Sequence, residues 1–509
     1  MDFAITRQLM AAGRLPHLSA LASRGAWGPL RSTTPPVTPC AWSTIMTGKN
    51  PGKHGIFDFL AGTAADPVAS RRRATTIWTK LSGAGWRVGT FNVPTTYPPQ
   101  PLSGFQVAGF DAPAFGPSMA WPERAYDALW AAVGDYEVFP TSILTPEGDP
   151  TAVGQHADLP LLGTRALLSR FPCDLYMVSF QVVDWVQHAR LGTEAPAGAG
   201  GLLDLDGRVA ECYALVDARV GSLLEEWTTD HTTVAVVSDH GGASVDCLVN
   251  LERLFLDAGL MAYEANKGGG HRWRLRRLRT RAMLAAWDVA KRALPGVARR
   301  LQPLALRVRG RAATYQNSLA VDWSRSVAVP SGSFGQIRLN IRGRDPNGVL
   351  EPDEAPRLRQ RICDLLGALK DPRTGERVYE RVAAAEKLYR GECVAQGPDL
   401  IAIPASERYL SLSGRTGAPA VPLLDARGVV VPFHPPSGWH SMDGVVVLAG
   451  PDVAEGVRLA GASAVDVAPT LLQLLGEPVP ADMDGVPLRY GTAGDCAGPG
   501  TLAPEEPAP

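Results

Sequence analysis

This sequence predicts an α/β fold: a doubly wound, mostly parallel sheet flanked by helices. Three observations predict it. Short β-branched or aromatic runs alternate with helix-period stretches through the first half of the chain. The same alternation returns after about residue 320. The side chains able to do chemistry fall at the ends of the apolar runs or in loops beside them, where open α/β sheets collect ligands.

In order, the chain opens as an amphipathic helix in MDFAITRQLMAAGRLPHLSALASRGAWG, with Ile5, Leu9 and Met10 on one side and nothing strand-like before it. A short helix is expected over 39–47, with Thr38 as N-cap, Pro39 at the first helical position and Gly48 at the stop. Helices at 76–84, 122–132, 160–170, 182–190 and 207–227 interleave with strands WRVGTFNV (86–93), DLYMVSF (174–180) and TTVAVVSD (232–239). Later come GQIRLNI (335–341), a helix at 355–369, and the strands PDLIAIP (398–404) and GVVVLAGP (444–451). A closing helix within 463–480 is ended by Gly476 and Pro478. The expected organisation is a core over 1–244, an inserted basic helical and α/β cap over 245–395, a core return over 396–490 and a disordered tail over 491–509.

The 509 residues suffice for two or three compact units. A formal net charge of −1 gives no global pull toward nucleic acid or membrane. Seven scattered cysteines without a CxxC pair argue against a disulfide scaffold and a cysteine zinc site, and for a reducing compartment. No apolar run approaches the roughly 18 residues of a membrane span, and no signal peptide is visible, so a cytoplasmic location is expected. Residues 267–311 carry fourteen Lys or Arg against a single acid, Asp288. That segment reads as a solvated helical hairpin, as a cap over an anionic substrate, or as a weak contact with an anionic membrane.

Four places carry candidate chemistry. Thr38 puts a hydroxyl at a helix N-terminus, where the dipole favours an anion; the plain alternative is a cap. Asp184 and His188, in QVVDWVQHAR, are four apart and share a helix face, as two ligands of one metal or as a surface ion pair. Asp239 and His240 close a strand in AVVSDHGG, with Gly241 and Gly242 to turn the chain; an Asx-capped turn is the alternative. His440 lies in a Gly-containing loop of PPSGWHSMDG, with His434 as its rival. Carboxylate, imidazole and hydroxyl ligands together suit zinc or manganese. Two such ions can activate a nucleophile, hold a phosphoryl oxygen and stabilise the leaving oxygen.

The ordered set TPPVTPCAWSTIMTGKNPGKHGI, DWVQH, SDHGG, GWHSMDG and VDVAPTLLQLLG resembles the alkaline phosphatase superfamily. Within it, the set is most similar to the type I phosphodiesterase / nucleotide pyrophosphatase branch and its phosphohydrolase or phosphomutase relatives. The resemblance implies an alkaline-phosphatase-like core with an inserted cap, and two divalent ions, zinc or manganese. It places one ion on Asp184, His188 and His440. It places the other on Asp239, His240 and Thr38, with Thr38 as the nucleophile that becomes phosphorylated.

Three departures stand beside it. The family's N-terminal Asp-Gly pair would fall just before Met1, and Asp2 comes too late with no strand to support it. The first core strand and one ligand are therefore expected to be missing, through a chain start assigned too late or, alternatively, in an impaired protein. The Asn that follows His-Gly-Ile in the nucleotide-cleaving branch is replaced by Asp58 and Phe59 here. Cys40 lacks the Pro and Arg that accompany a sulfatase cysteine. The expected activity is metal-dependent hydrolysis of phosphomonoesters or phosphodiesters on a small phosphorylated substrate. The alternatives are an impaired relative that binds a phosphorylated ligand, and a phosphomutase.

Overall fold

The computed structural model describes residues 1–59, 66–144, 148–192, 207–263, 321–411, 413 and 428–491, with the side chains of 434–437 excepted. The basic 267–311 segment lies outside the described residues, as does the 491–509 tail beyond Gly491. Two compact units are distinguished. One comprises Met1–Ile56, Asp66–Ser244 and the chain from Pro435; the other comprises Phe57–Ala65 and Val245–His434.

In the first unit Asp2 caps α1 (Phe3–Ala11), accepting from Ile5 N. Pro16 opens α2 (Pro16–Ser23), and β1 (Ala26–Arg31) follows. Next is α3 (Thr38–Thr47), stopped by Gly48 at φ 65°, where a left-handed residue ends a helix. Short helices α4 (Pro51–His54) and α5 (Val68–Arg71) precede α6 (Ile77–Gly83). Then come β2 (Val88–Val93), β3 (Phe105–Ala108), β4 (Ala120–Trp121), α7 (Glu123–Val133), α8 (Pro150–Leu168), β5 (Leu175–Val178), α9 (Val182–Arg190), α10 (Gly207–Trp227) and β6 (Val234–Val237).

A strand, β7 (Gly241–Val249), runs on into the second unit, which holds α11 (Leu251–Asp257), β8 (Ala328–Pro330), β9 (Gln336–Leu339), α12 (Ala355–Gly367), β10 (Tyr379–Ala384), α13 (Ala385–Leu388), β11 (Leu400–Pro404) and β12 (Tyr409–Ser411). The chain returns through β13 (Val430–Ser441), β14 (Asp443–Ala449), β15 (Val457–Arg458) and α14 (Val467–Leu474).

The architecture is mixed α/β. In one sheet of the first unit the order is β4-β3-β2-β5, and β2 pairs in parallel with both β3 and β5. In the other the order is β15-β1-β14-β6, with β14 antiparallel to both β1 and β6. Strand β14 is apolar from Gly444 to Ala449 because both its faces are covered there. Val445 and Val447 pack with Leu18, Tyr213 and Val216. Val446 and Leu448 pack with Trp42, Ile45, Ala468 and Leu472. By contrast every residue of β5 and β6 is partly exposed, and each strand ends its sheet.

Three sequence expectations are corrected. The helix expected over 160–170 begins at Pro150, with the Asp149 side chain as its cap, so Pro160 lies inside it rather than near its start. Strand β1 is absent from the expected elements because it carries Gly28 and Pro29, which are disfavoured inside strands. Gly28 is needed because a Cβ there would lie 2.1 Å from the Leu459 carbonyl oxygen, and Pro29 lies past the two residues that β15 pairs. His440 stands on the strand β13 and not in a loop, because the Pro-Pro-Ser-Gly stretch before it is extended.

Among the described residues no helix is long and apolar enough to cross a membrane. The six described cysteines are free thiols.

Candidate metal centre

All six residues singled out in the sequence belong to the first unit. Asp184 and His188 share one face of α9, the helix that follows β5. Asp239 and His240 lie between β6 and β7. His440 is the penultimate residue of β13, and Thr38 is the first of α3.

Thr38 is not the cap that its sequence suggests. Val37 occupies that position and the helix has no side-chain cap, so the Thr38 hydroxyl is free for another task. It lies 3.3 Å from His240 Nε2, and the residue is 8% exposed.

Each histidine has its Nδ1 on a main-chain carbonyl. His188 Nδ1 is 2.9 Å from Gly438 O, His240 Nδ1 is 2.9 Å from Gly241 O, and His440 Nδ1 is 2.6 Å from Pro36 O. A carbonyl only accepts, so Nδ1 carries the hydrogen and Nε2 is left with a lone pair. This is the arrangement that fixes imidazoles as metal ligands. His188 and His440 bring their Nε2 atoms to 3.0 Å. Asp184 Oδ1 lies 3.5 Å from His188 Nε2 and 3.7 Å from His440 Nε2. The ligand atoms of Asp184, His188 and His440 thus fall within 4.8 Å of one another. The rings of His240 and His440 stack at 3.6 Å.

Two lone pairs aimed at each other are repulsive unless a proton or a cation lies between them. Burial, and then the neighbouring His240 and His188, push the His440 pKa well below its usual value, which disfavours the proton. Asp239 Oδ2 is 3.3 Å from His240 Nε2. It is buried, with no hydrogen-bond partner among the described residues. Burial and then the Asp184 charge raise the Asp239 pKa, against the lowering pull of His240. A buried carboxylate oxygen without a donor is costly unless a cation meets it.

Gly241 and Gly242 are not in left-handed conformations, so turning the chain is not their role. A Cβ on Gly241 would lie 2.2 Å from Ser441 Oγ and 2.5 Å from Asp2 Oδ2. Asp2 accepts from Ile5 N, Gly242 N and Ser441 Oγ, so its carboxylate is engaged in holding α1 and β7. The Met1 amino group is buried beside Asp239, Asp184 and Asp2; burial lowers its pKa and the carboxylates oppose that.

The rival His434 belongs to the other unit, and its side chain lies outside the described residues. Asp58 accepts from Ser333 N and Gln336 Nε2 within the second unit. Sequence reasoning missed the three carbonyls that orient the histidines, since main-chain acceptors leave no residue signature. It also missed Ser32, whose hydroxyl donates to the Asp239 carbonyl at 2.5 Å.

A family model described as type I phosphodiesterase / nucleotide pyrophosphatase matches residues 4–374. No curated protein matches the chain. Among solved structures, human ectonucleotide pyrophosphatase / phosphodiesterase 5 matches at 13% identity over 92% of each chain, with a TM-score of 0.44. That likeness is too loose to argue from.

Proposed function

The chain belongs to the type I phosphodiesterase / nucleotide pyrophosphatase family, and on that premise we propose that it hydrolyses phosphate esters through Thr38 at a centre for two divalent cations, zinc or manganese. The family supports hydrolysis of phosphodiester or pyrophosphate bonds; the threonine and the metals are our reading of the site. Asp184, His188 and His440 would hold one ion, and Asp239, His240 and Thr38 the other. Bound divalent ions supply a lowered pKa for a hydroxyl or water and draw charge from phosphoryl oxygens.

The chain's own residues do the rest. Thr38 stands at the N-terminus of the ten-residue helix α3, where the helix dipole favours a phosphoryl group. Its Oγ forms a bond to phosphorus as the bond to the leaving alcohol breaks, and that alcohol departs with a proton. Water then hydrolyses the phosphothreonine and frees the hydroxyl. Two displacements give net retention at phosphorus. The hydrogen bonds from Nδ1 to Gly438, Gly241 and Pro36 keep the imidazoles aimed during both.

The observation that carries this reading is the 3.0 Å approach of His188 and His440 Nε2, together with the unpartnered Asp239 Oδ2. Its test is metal analysis of the zinc-loaded protein alongside hydrolysis of bis(p-nitrophenyl) phosphate. Two ions per chain with turnover support it, and absence of bound metal removes it. A second reading has one observation in its favour. Asp2 is occupied by three donors, leaving the Thr38 side with one carboxylate and one imidazole. A single bound ion without turnover would favour an impaired relative that binds a phosphorylated ligand. Transfer of phosphate to a second substrate hydroxyl in preference to water would favour a phosphomutase.

A further inference from the structure

Arg72 is a partly buried cation whose hydrogen-bond partners among the described residues are all neutral. Its Nε donates to Ser43 Oγ at 3.2 Å, and one Nη donates to the Thr95 carbonyl at 2.6 Å and to Thr95 Oγ1 at 3.2 Å. The carboxylate that Arg72 feels is Asp111. Its oxygens are already engaged by Thr95 N at 2.9 Å and Tyr97 N at 3.1 Å. Burial draws the arginine's pKa down to about 10, which measures how poorly the protein itself compensates the charge. Holding a guanidinium this way costs free energy that an anion would return.

The groups that hold Arg72 connect to the metal centre. Ser43 is five residues into the helix that begins with Thr38, about 7.5 Å along its axis. Thr95 follows β2, where the Asn92 carbonyl accepts from Gln181 Nε2 at 2.7 Å. Gln181 is the residue before α9, which carries Asp184 and His188. Asn92 and Thr95 have φ of 60° and 61°. A β-branched residue rarely adopts that conformation, and such strain persists where surroundings enforce it, often at ligand sites. Gln181 is 7% exposed, and its Oε1 has no hydrogen-bond partner among the described residues. The segment from Asn92 to Tyr97 is thus held by the Arg72 cation at Thr95 and by the Gln181 amide at Asn92.

We propose that Arg72 and the Asn92–Tyr97 loop form a subsite for a second anionic group on the substrate, beside the phosphoryl group that Thr38 attacks. The inference rests on the hydrolase reading above and extends it to a substrate class: phosphate esters carrying a further carboxylate or phosphate-like group.

The test uses three non-hydrolysable ligands with one methylphosphonyl head and one three-carbon tail, ending in a carboxylate, a phosphonate or an amide. Each is titrated calorimetrically into the zinc-loaded full chain. A wild-type protein that binds an anionic tail at least about tenfold tighter than the amide supports the subsite, and the tighter of the two anions names the group. In Arg72→Gln, which loses the charge, the preference should fall to within about twofold, while Arg72→Lys should keep part of it. No preference in the wild type overturns the proposal without recourse to any variant. A preference undiminished in a folded Arg72→Gln overturns it as well. Hydrolysis of bis(p-nitrophenyl) phosphate by the wild type reads the underlying proposal separately. Turnover without tail preference sinks the subsite alone; tail preference without turnover sinks the hydrolase and leaves Arg72 as the anion site of a binding protein.

Discussion

His188 and His440, 252 positions apart in the chain, face each other through Nε2 at 3.0 Å, while each has its Nδ1 on a main-chain carbonyl. Neither can donate to the other through Nε2 without acquiring a second proton. A divalent cation bound there stabilises the folded state by mass action, by about 2.7 kcal/mol when the free ion is a hundredfold above its Kd. Zinc added to chelator-treated protein is therefore expected to raise the melting temperature, and His440→Ala to abolish most of that rise. Equal melting curves for the wild type with and without zinc would show that the centre does not take the ion.

Thr38 separates two roles that the sequence could not tell apart. A capping threonine replaced by alanine costs about 1 kcal/mol, but here the N-cap is Val37 and the hydroxyl faces His240. Thr38→Ala should lower turnover of bis(p-nitrophenyl) phosphate by about a thousandfold or more. Its unfolding free energy should shift by less than a cap would cost. Retained turnover removes Thr38 from the chemistry, and a full capping loss in urea unfolding removes the structural assignment.

Much of this arrangement was legible because local pattern and tertiary role agree. The apolar runs that became β2 and β14 are buried in their sheets, and their composition says so. The four-residue spacing of Asp184 and His188 specifies one helix face without tertiary information. What stayed hidden depends on partners far away in the chain. Gly28 and Pro29 argue against a strand until β14 is placed beside them. Gly438 signals a loop until it is seen against the α9 carbonyl of Gln187. The switch of Thr38 from cap to first helical residue is a one-position change, at the limit of what helix boundaries disclose.

Gly438 therefore offers a steric test of the centre. A Cβ there would lie 1.9 Å from Gln187 O, and the same glycine's carbonyl accepts from His188 Nδ1. Gly438→Ala must push β13 from α9, at a cost of about 1–3 kcal/mol. It should also loosen His188 and weaken zinc binding by about 10–100-fold. Chelator competition measures the second effect independently of the first. Unchanged zinc affinity would mean that the Gly438 carbonyl does not orient the imidazole.

His156 gives the fold a pH dependence that can be separated from the metal centre. It is 9% exposed, and it meets Trp185 and Tyr136 edge-on at 5.2 and 6.3 Å. Burial lowers its pKa from 6.5 to about 4. Between those values the unfolded chain binds a proton at this position and the folded chain does not. Stability therefore falls as pH drops from 6.5 toward 4, and below about 4 the two states titrate alike. At about 1.36 kcal/mol per pH unit the full span would be worth about 3 kcal/mol, and residual solvent contact brings the expected loss to about 2 kcal/mol. His156→Phe keeps the ring packing and removes the proton site. The difference in urea unfolding free energy between variant and wild type should widen in the variant's favour by that amount as pH is lowered through the window. Parallel pH profiles would mean that His156 is solvated enough to titrate normally.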